Sequence, residues 1–184
     1  VLPTGAIWLL SEAEGAVKAT FNSDNSLNLK VFAIDNGLVE GNNIYKVCSD
    51  SRKNEWLLTD NGLALIKPND AKSNVFFFES KESRQANGQA FFSSCEVDGE
   101  IWFGSIKGRV WRYEFQGDKF KLLEIGCPSN IVDIKQIDKD RLVLATSKDG
   151  FYLYHLGSGQ LQHINTQNHA ELVSDEMVSA YVDK

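Results

Sequence analysis

Little in this sequence carries chemistry or targeting. Its 184 residues include three cysteines, Cys48, Cys95 and Cys127, an odd count with no Cys-x-x-Cys pair. Neither a disulfide framework nor a zinc site follows from that. Cys48 and Cys95 lie in apolar, strand-like runs and are expected as buried free thiols, since free cysteine behaves as a small hydrophobe. The three histidines, His155, His163 and His169, fall in one late stretch. His155 and His163 sit on neighbouring predicted strands and are placed to approach across a hairpin. A metal site needs three or four ligands, and no cysteine or acidic cluster completes one, so no metal or cofactor is expected. There is no glycine-rich phosphate loop and no Gly-x-Ser-x-Gly element. No apolar run reaches the roughly 18 residues of a membrane-spanning helix, and no secretory leader opens the chain. Net charge is −6, with Lys and Arg scattered beside Asp and Glu. A nucleic-acid binder carries a basic stripe, and none is visible, so nucleic acid is not an expected partner.

What the chain does have is an ordinary globular composition, 42% hydrophobic and 24% charged, and a repeated phrase. Glu55-Trp56-Leu57-Leu58-Thr59-Asp60-Asn61-Gly62 is a short apolar run, a hydroxyl residue and a polar turn closed by glycine. Trp8-Leu9-Leu10-Ser11 leads to Gly15, Trp102-Phe103-Gly104-Ser105 to Gly108, and Val143-Leu144-Ala145-Thr146 to Gly150. Recurrence at about 40–50 residues marks a repeat array, and its all-β form is the propeller blade. Helical periodicity is hard to find. Short β-rich runs divided by Gly, Asn, Asp and Ser are everywhere. Strands are expected at residues 7–10, 16–21, 27–34, 44–49, 56–59, 63–66, 75–79, 90–97, 101–105, 110–115, 120–125, 131–137, 142–146, 151–155, 161–164 and 177–182.

These strands group in fours, one group per repeat, with the recurrent phrase on the second strand. The expected fold class is all-β, about four blades of four antiparallel strands, forming part of a larger ring of about seven. The expected boundaries are a blade at 1–40 lacking its first strand, blades at 41–88, 89–127 and 128–170, and a first strand of a further or ring-closing blade at 171–184. The chain is accordingly expected to be a segment of a longer protein. Several runs, such as Trp56-Leu57-Leu58 and Phe151-Tyr152-Leu153-Tyr154, are apolar on successive residues. That requires cover on both faces of the sheet and favours stacked blades over a sandwich. A segment of such an array exposes apolar end faces. It is expected to self-associate or to pair its last strand with its first blade.

Recurrence also argues against chemistry at the recurring residues. Trp8, Trp56 and Trp102 occupy one repeat position and are expected as packing elements, whereas Trp111 lies off the phrase and is expected to be partly exposed. Thr59, Ser105, Thr146 and Ser11 are expected to bond local backbone beside Gly62, Gly108, Gly150 and Gly15. Asp50, Asp98 and Asp183, with Asp138 or Asp140, end first strands and are expected to cap turns. Glycoside hydrolysis needs two carboxylates about 5–9.5 Å apart in a cleft, and equivalent positions on different blades are spread apart. No catalytic residue is expected.

Gly41-Asn42-Asn43-Ile44-Tyr45-Lys46-Val47-Cys48-Ser49-Asp50 followed by Glu55-Trp56-Leu57-Leu58-Thr59-Asp60-Asn61-Gly62-Leu63 resembles the two-component-regulator propeller repeat. So do Pro128-Ser129-Asn130-Ile131-Val132-Asp133-Ile134 with Ala145-Thr146-Ser147-Lys148-Asp149-Gly150-Phe151, and the run from Ser174 to Asp183. Val143 departs from the pattern, standing where it has an aromatic. So does Asn87-Gly88-Gln89, which replaces the usual turn before Phe91. The resemblance implies the periplasmic sensor region of a hybrid two-component system histidine kinase of the Bacteroides type, anchored in the inner membrane by its parent. It implies a glycan-derived ligand and a homodimeric parent, with neither enzymatic activity nor membrane contact in this segment; it names no binding residue. The alternative is a propeller scaffold for protein partners, and a propeller enzyme stands third. Aromatic and amide side chains around a polar pocket would favour the sensor. A broad apolar patch would favour the scaffold, and an unpaired histidine or carboxylate cluster in a cleft the enzyme.

Overall fold

A computed structural model describes residues 5–39, 41, 43–68, 73–78 and 90–183. It contains fifteen strands and, among the described residues, one 3-10 turn. The chain divides into two compact units, residues 1–91 and 92–184.

The first unit holds two sheets. One has three strands in the order β1 (Ile7–Ser11), β2 (Gly15–Phe21), β3 (Leu27–Phe32), and the other has four, β4 (Ile44–Ser49), β5 (Glu55–Thr59), β6 (Gly62–Ile66), β7 (Ser73–Phe76). The expected strand at 27–34 stops at Phe32, because a 3-10 turn, Ile34–Asn36, closes on Gly37 in the left-handed region. Glu79, the last residue of the expected 75–79 strand, lies outside the described residues. Every residue of β5 and β6 is buried, as the uninterrupted apolar runs require. Ala16 and Phe32 of the first sheet close a core with Ile44, Leu57, Ala64 and Ile66 of the second, and Val39 from the linking segment joins them.

A charged group lies between these two sheets. Glu55 is 4% exposed; its Oε1 accepts the indole N–H of Trp8 at 3.1 Å, and its Oε2 pairs with Lys18 Nζ. Lys18 Nζ also stands 5.5 Å from the centre of the Trp8 ring. A buried carboxylate is tolerated only when its lone pairs are satisfied, and here β1 and β2 of one sheet satisfy a residue of the next. The half-buried Trp8 is therefore a polar fastener between neighbouring sheets as well as a packing element.

The second unit repeats the plan. One sheet is β8 (Phe91–Val97), β9 (Glu100–Ser105), β10 (Arg109–Glu114), β11 (Lys119–Glu124), and the other is β12 (Ile131–Gln136), β13 (Arg141–Thr146), β14 (Phe151–His155), β15 (Leu161–Ile164). Their core joins Val97, Trp102 and Val110 to Ile131, Ile134, Leu142, Leu144, Tyr152 and Tyr154. The chain is all-β and built of antiparallel blade-type sheets, without a helix long and apolar enough to cross a membrane among the described residues. Residues 177–182, expected as a strand, belong to no ladder. They run along the last sheet instead, held by the Met177 N–H to the Thr146 carbonyl at 3.0 Å.

First strands β4 and β12 share an irregularity. Pairing with the second strand runs Ile44–Thr59 then Lys46–Leu58, and Ile131–Thr146 then Asp133–Ala145. Tyr45 and Val132 are each the extra residue of a β-bulge, which turns a side chain out of the ladder.

Candidate functional site

The turn that ends each second strand shows why the repeated phrase reads as it does. Thr59 Oγ donates to the Gly62 carbonyl at 3.0 Å and accepts the Asn61 N–H at 3.0 Å. Thr146 Oγ donates to the Gly150 carbonyl at 2.8 Å and accepts the Asp149 N–H at 2.8 Å. Ser105, at the same position before Gly108, is 2% exposed. A Cβ built on the closing glycine would stand 2.2 Å from the Phe32 carbonyl oxygen at Gly15, and 2.4 Å from that of Phe76 at Gly62. The corresponding distance is 2.3 Å from Cys127 at Gly108 and 2.2 Å from Ile164 at Gly150. At Gly15, Gly62 and Gly150 the glycine thus abuts the last residue of its sheet's outer strand, and at Gly108 it abuts Cys127, three residues past the end of β11.

The strand-end aspartates also act locally. Asp50 is buried; its Oδ1 accepts the Arg52 and Asn54 backbone N–H groups, both at 2.9 Å. Its Oδ2 accepts Asn54 Nδ2 at 2.8 Å and Trp56 Nε1 at 3.0 Å. Asp138 accepts the Asp140 N–H and binds the Arg141 guanidinium twice. The hydrogen bond from Arg141 holds the Asp138 carboxyl below its usual range.

Two clusters fall outside the repeated phrase. The first lies in the second unit. Asp149 Oδ2 accepts the Tyr152 hydroxyl at 2.7 Å, and His163 Nε2 lies 2.8 Å from the Asp149 carbonyl and 3.4 Å from its Oδ1. The His163 and Tyr152 rings stack at 4.3 Å. His163 thus sits opposite Tyr152 rather than His155, because the register pairs Tyr152 with His163. Burial pushes the neighbouring Cys127 thiol up to about 11, so it is held in the protonated, less reactive form at neutral pH. Cys48 and Cys95, expected as buried thiols, are only half-buried, because each side chain of a pleated strand faces one side of its sheet, whereas Cys127 is buried. Native Cys127 is expected to react with a thiol probe at least about a hundredfold slower than an unfolded control at neutral pH. Stability is expected to fall as pH rises toward 11, because the unfolded thiol loses its proton first. Probe kinetics and a pH series of urea unfolding check both.

The second cluster is a cleft of about 300 Å³ in the first unit, lined by Leu10, Ser11, Glu12, Asn43, Ile44 and Tyr45. Its floor is rigid. Asn43 Oδ1 accepts the Ala13 N–H at 2.8 Å, and Asn43 Nδ2 donates to Asp60 Oδ2 at 3.0 Å. The Asn43 carbonyl accepts the Asp60 N–H at 3.0 Å. Asp60 Oδ1 is buried and takes no hydrogen bond among the described residues. The bulge in β4 turns Tyr45 outward, 46% exposed. Burial first, and the Asp60 carboxylate second, push its phenol upward, so it stays a hydrogen-bond donor at neutral pH. The cleft offers an aromatic face, a hydroxyl and a carboxylate on a fixed frame, at the lower limit of small-molecule pocket size. Sequence reasoning named none of these residues as a site, because the cleft joins the Ser11 turn to a strand more than thirty residues later. The one signal present was the aromatic Tyr45 beside the Asn42-Asn43 pair. Among the described residues no group of three or more His, Cys, Asp or Glu is placed to hold a metal ion.

No protein-family model matches the chain, and no curated protein sequence does. Solved structures share its fold. The extracellular domain of BT4673 from B. thetaiotaomicron, a one-component or hybrid two-component system, matches in two crystal structures. The TM-scores are 0.81 and 0.77, at 20% and 19% identity, over 100% of this chain and 24% of those. The extracellular domain of the hybrid two-component system BT3049 from the same organism matches at 0.66 and 15% identity, over 88% of this chain and 23% of that one. PorZ, a surface component of the type-IX secretion system of Porphyromonas gingivalis, matches at 0.69 and 12% identity, over 96% and 28%. This chain spans about a quarter of the length of these structures. It therefore shares its blade-sheet fold with extracellular domains of hybrid two-component systems.

Proposed function

We propose that the chain is a non-enzymatic, ligand-sensing segment of the periplasmic region of a hybrid two-component system sensor histidine kinase. Its four sheets are part of a larger propeller. The ligand is a neutral, glycan-derived sugar or oligosaccharide. The parent signals when that ligand favours one of two arrangements of a homodimer, which requires different affinity for the two. The fold shared with BT4673 and BT3049 supports the architecture. The observation that carries the ligand reading is the cleft, where Tyr45 offers a ring face beside Ser11 and Glu12 on a frame locked by Asn43.

Titration with neutral oligosaccharides, followed by calorimetry and by amide resonances of residues 10–12 and 43–45, tests the reading. Binding is expected to perturb those resonances. Tyr45→Ala is expected to weaken binding about tenfold or more while changing stability by less than about 1 kcal/mol, since the ring is half exposed. Sugars that bind elsewhere, or none that bind, would remove the cleft from the account.

One observation favours a second reading, a protein-interaction scaffold without small-molecule ligand. Ile7, Leu9, Phe21, Leu27, Leu29 and Val31 are all exposed, and the register places them on one face of the three-stranded sheet. Contiguous apolar surface of this kind marks a contact face.

A further inference from the structure

The charge around the Tyr45 cleft is of one sign. Leu10, Ser11, Glu12, Asn43, Ile44 and Tyr45 line it, and none of these is a lysine, arginine or histidine. Glu12 is exposed in the turn between β1 and β2, and among the described residues its carboxylate makes neither a hydrogen bond nor an ion pair. Nearby carboxylates are engaged by the fold. Glu55 holds Trp8 and Lys18, and Asp60 Oδ2 holds Asn43. Asp60 also adds negative potential at the Tyr45 hydroxyl.

The frame's donors already face protein acceptors. The Ala13 N–H points to Asn43 Oδ1, Asn43 Nδ2 to Asp60, and the Ser11 hydroxyl to the Glu12 carbonyl at 3.3 Å. What Glu12 leaves open is acceptor capacity. An ionised carboxylate has about four lone-pair sites and takes strong, charge-assisted bonds from hydroxyls.

We infer that Glu12 sets the ligand specificity of the cleft, accepting hydroxyls of a neutral sugar and repelling a sugar that carries a carboxylate or sulfate. Its role there rests on the sugar-binding reading of the cleft. Glu12 acts with opposite sign on the two classes. Toward a hydroxyl it is an acceptor, and toward an anion it is a like charge with no lining cation to offset it. Discrimination built this way uses repulsion as well as attraction. Because Glu12 is exposed, the repulsion runs through water and is screened by salt, which the hydroxyl contacts are not to the same degree.

Calorimetric titration of the whole chain with hexose disaccharides is the test, each beside its counterpart with the terminal hydroxymethyl oxidised to a uronate. Amide resonances of residues 10–12 and 43–45 report whether each occupies the cleft. At low salt the neutral sugar is expected to bind about tenfold or more tighter than its uronate. Raising salt to about 1 M is expected to narrow that ratio to about threefold or less. Glu12→Gln keeps the side chain's size and removes its charge. It is expected to weaken the neutral sugar about threefold and to tighten the uronate about threefold. Glu14→Gln, an exposed change in the same turn but outside the cleft lining, is expected to move either affinity by less than about twofold. Uronates that bind the cleft as tightly as neutral sugars overturn the role of Glu12 and leave the sugar site standing. So does a preference that Glu12→Gln leaves unchanged. If neither class moves those resonances, the sugar site and the role of Glu12 fall together.

Discussion

Asp50→Ala is expected to destabilise the chain by about 4 kcal/mol, as a fall in urea midpoint followed by tryptophan emission. Its carboxylate accepts four hydrogen bonds inside the turn that follows β4. Removing it strands the Asn54 backbone and side-chain donors, with Asn54 only 8% exposed, and the Nε1 of a fully buried Trp56. Each buried donor left without an acceptor costs about 1–3 kcal/mol, so a total near 4 sits at the upper end of single substitutions. Asp50→Asn keeps the shape but turns an amide toward donors, and is expected to cost about half as much. A midpoint change worth less than about 1 kcal/mol for Asp50→Ala would show that water replaces the carboxylate and that the turn is not held by it.

Gly150→Ala is expected to cost about 3 kcal/mol or more, against about 1 kcal/mol for Gly99→Ala. Both glycines have positive φ, 64° and 77°, so both substitutions carry the conformational penalty. They differ in what the new methyl meets. At Gly150 it would stand 2.2 Å from the Ile164 carbonyl oxygen and 3.0 Å from the Asn165 Cα, and at Gly99 nothing lies within 4 Å. Both obstacles are backbone, so relief means moving the end of β15 away from the turn. Thermal unfolding of the pair isolates the close approach from the backbone preference. Equal losses would mean that the fourth strand gives way freely.

The strand order was legible in the chain because each second strand carries the same apolar-hydroxyl-glycine phrase, and the physics of that phrase is local. Thr59 and Thr146 bond their own turns, and Gly62 and Gly150 answer a backbone that follows them closely. The fasteners between sheets were not legible. Glu55 looks like an ordinary flanking charge, and only the fold brings Trp8 and Lys18 to it. The 177–182 run reads as a strand because it repeats the first-strand pattern of the other repeats, but a strand needs an edge to pair with, and pattern alone does not supply it. The cleft was hidden for the same reason as Glu55. Tyr45 comes to line the cleft through a bulge, and a bulge depends on the neighbouring strand's register.

That bulge recurs at Val132 in β12, beneath different chemistry. An inserted residue has no residue opposite it in the register, so its identity is released from the demands of cross-strand pairing. Positions 45 and 132 are interchangeable mounts: the frame stays constant while the group it displays can change from phenol to isopropyl. A lineage, or a designer, can retune what such a surface greets by exchanging one amino acid per mount, leaving the scaffold's stability nearly untouched.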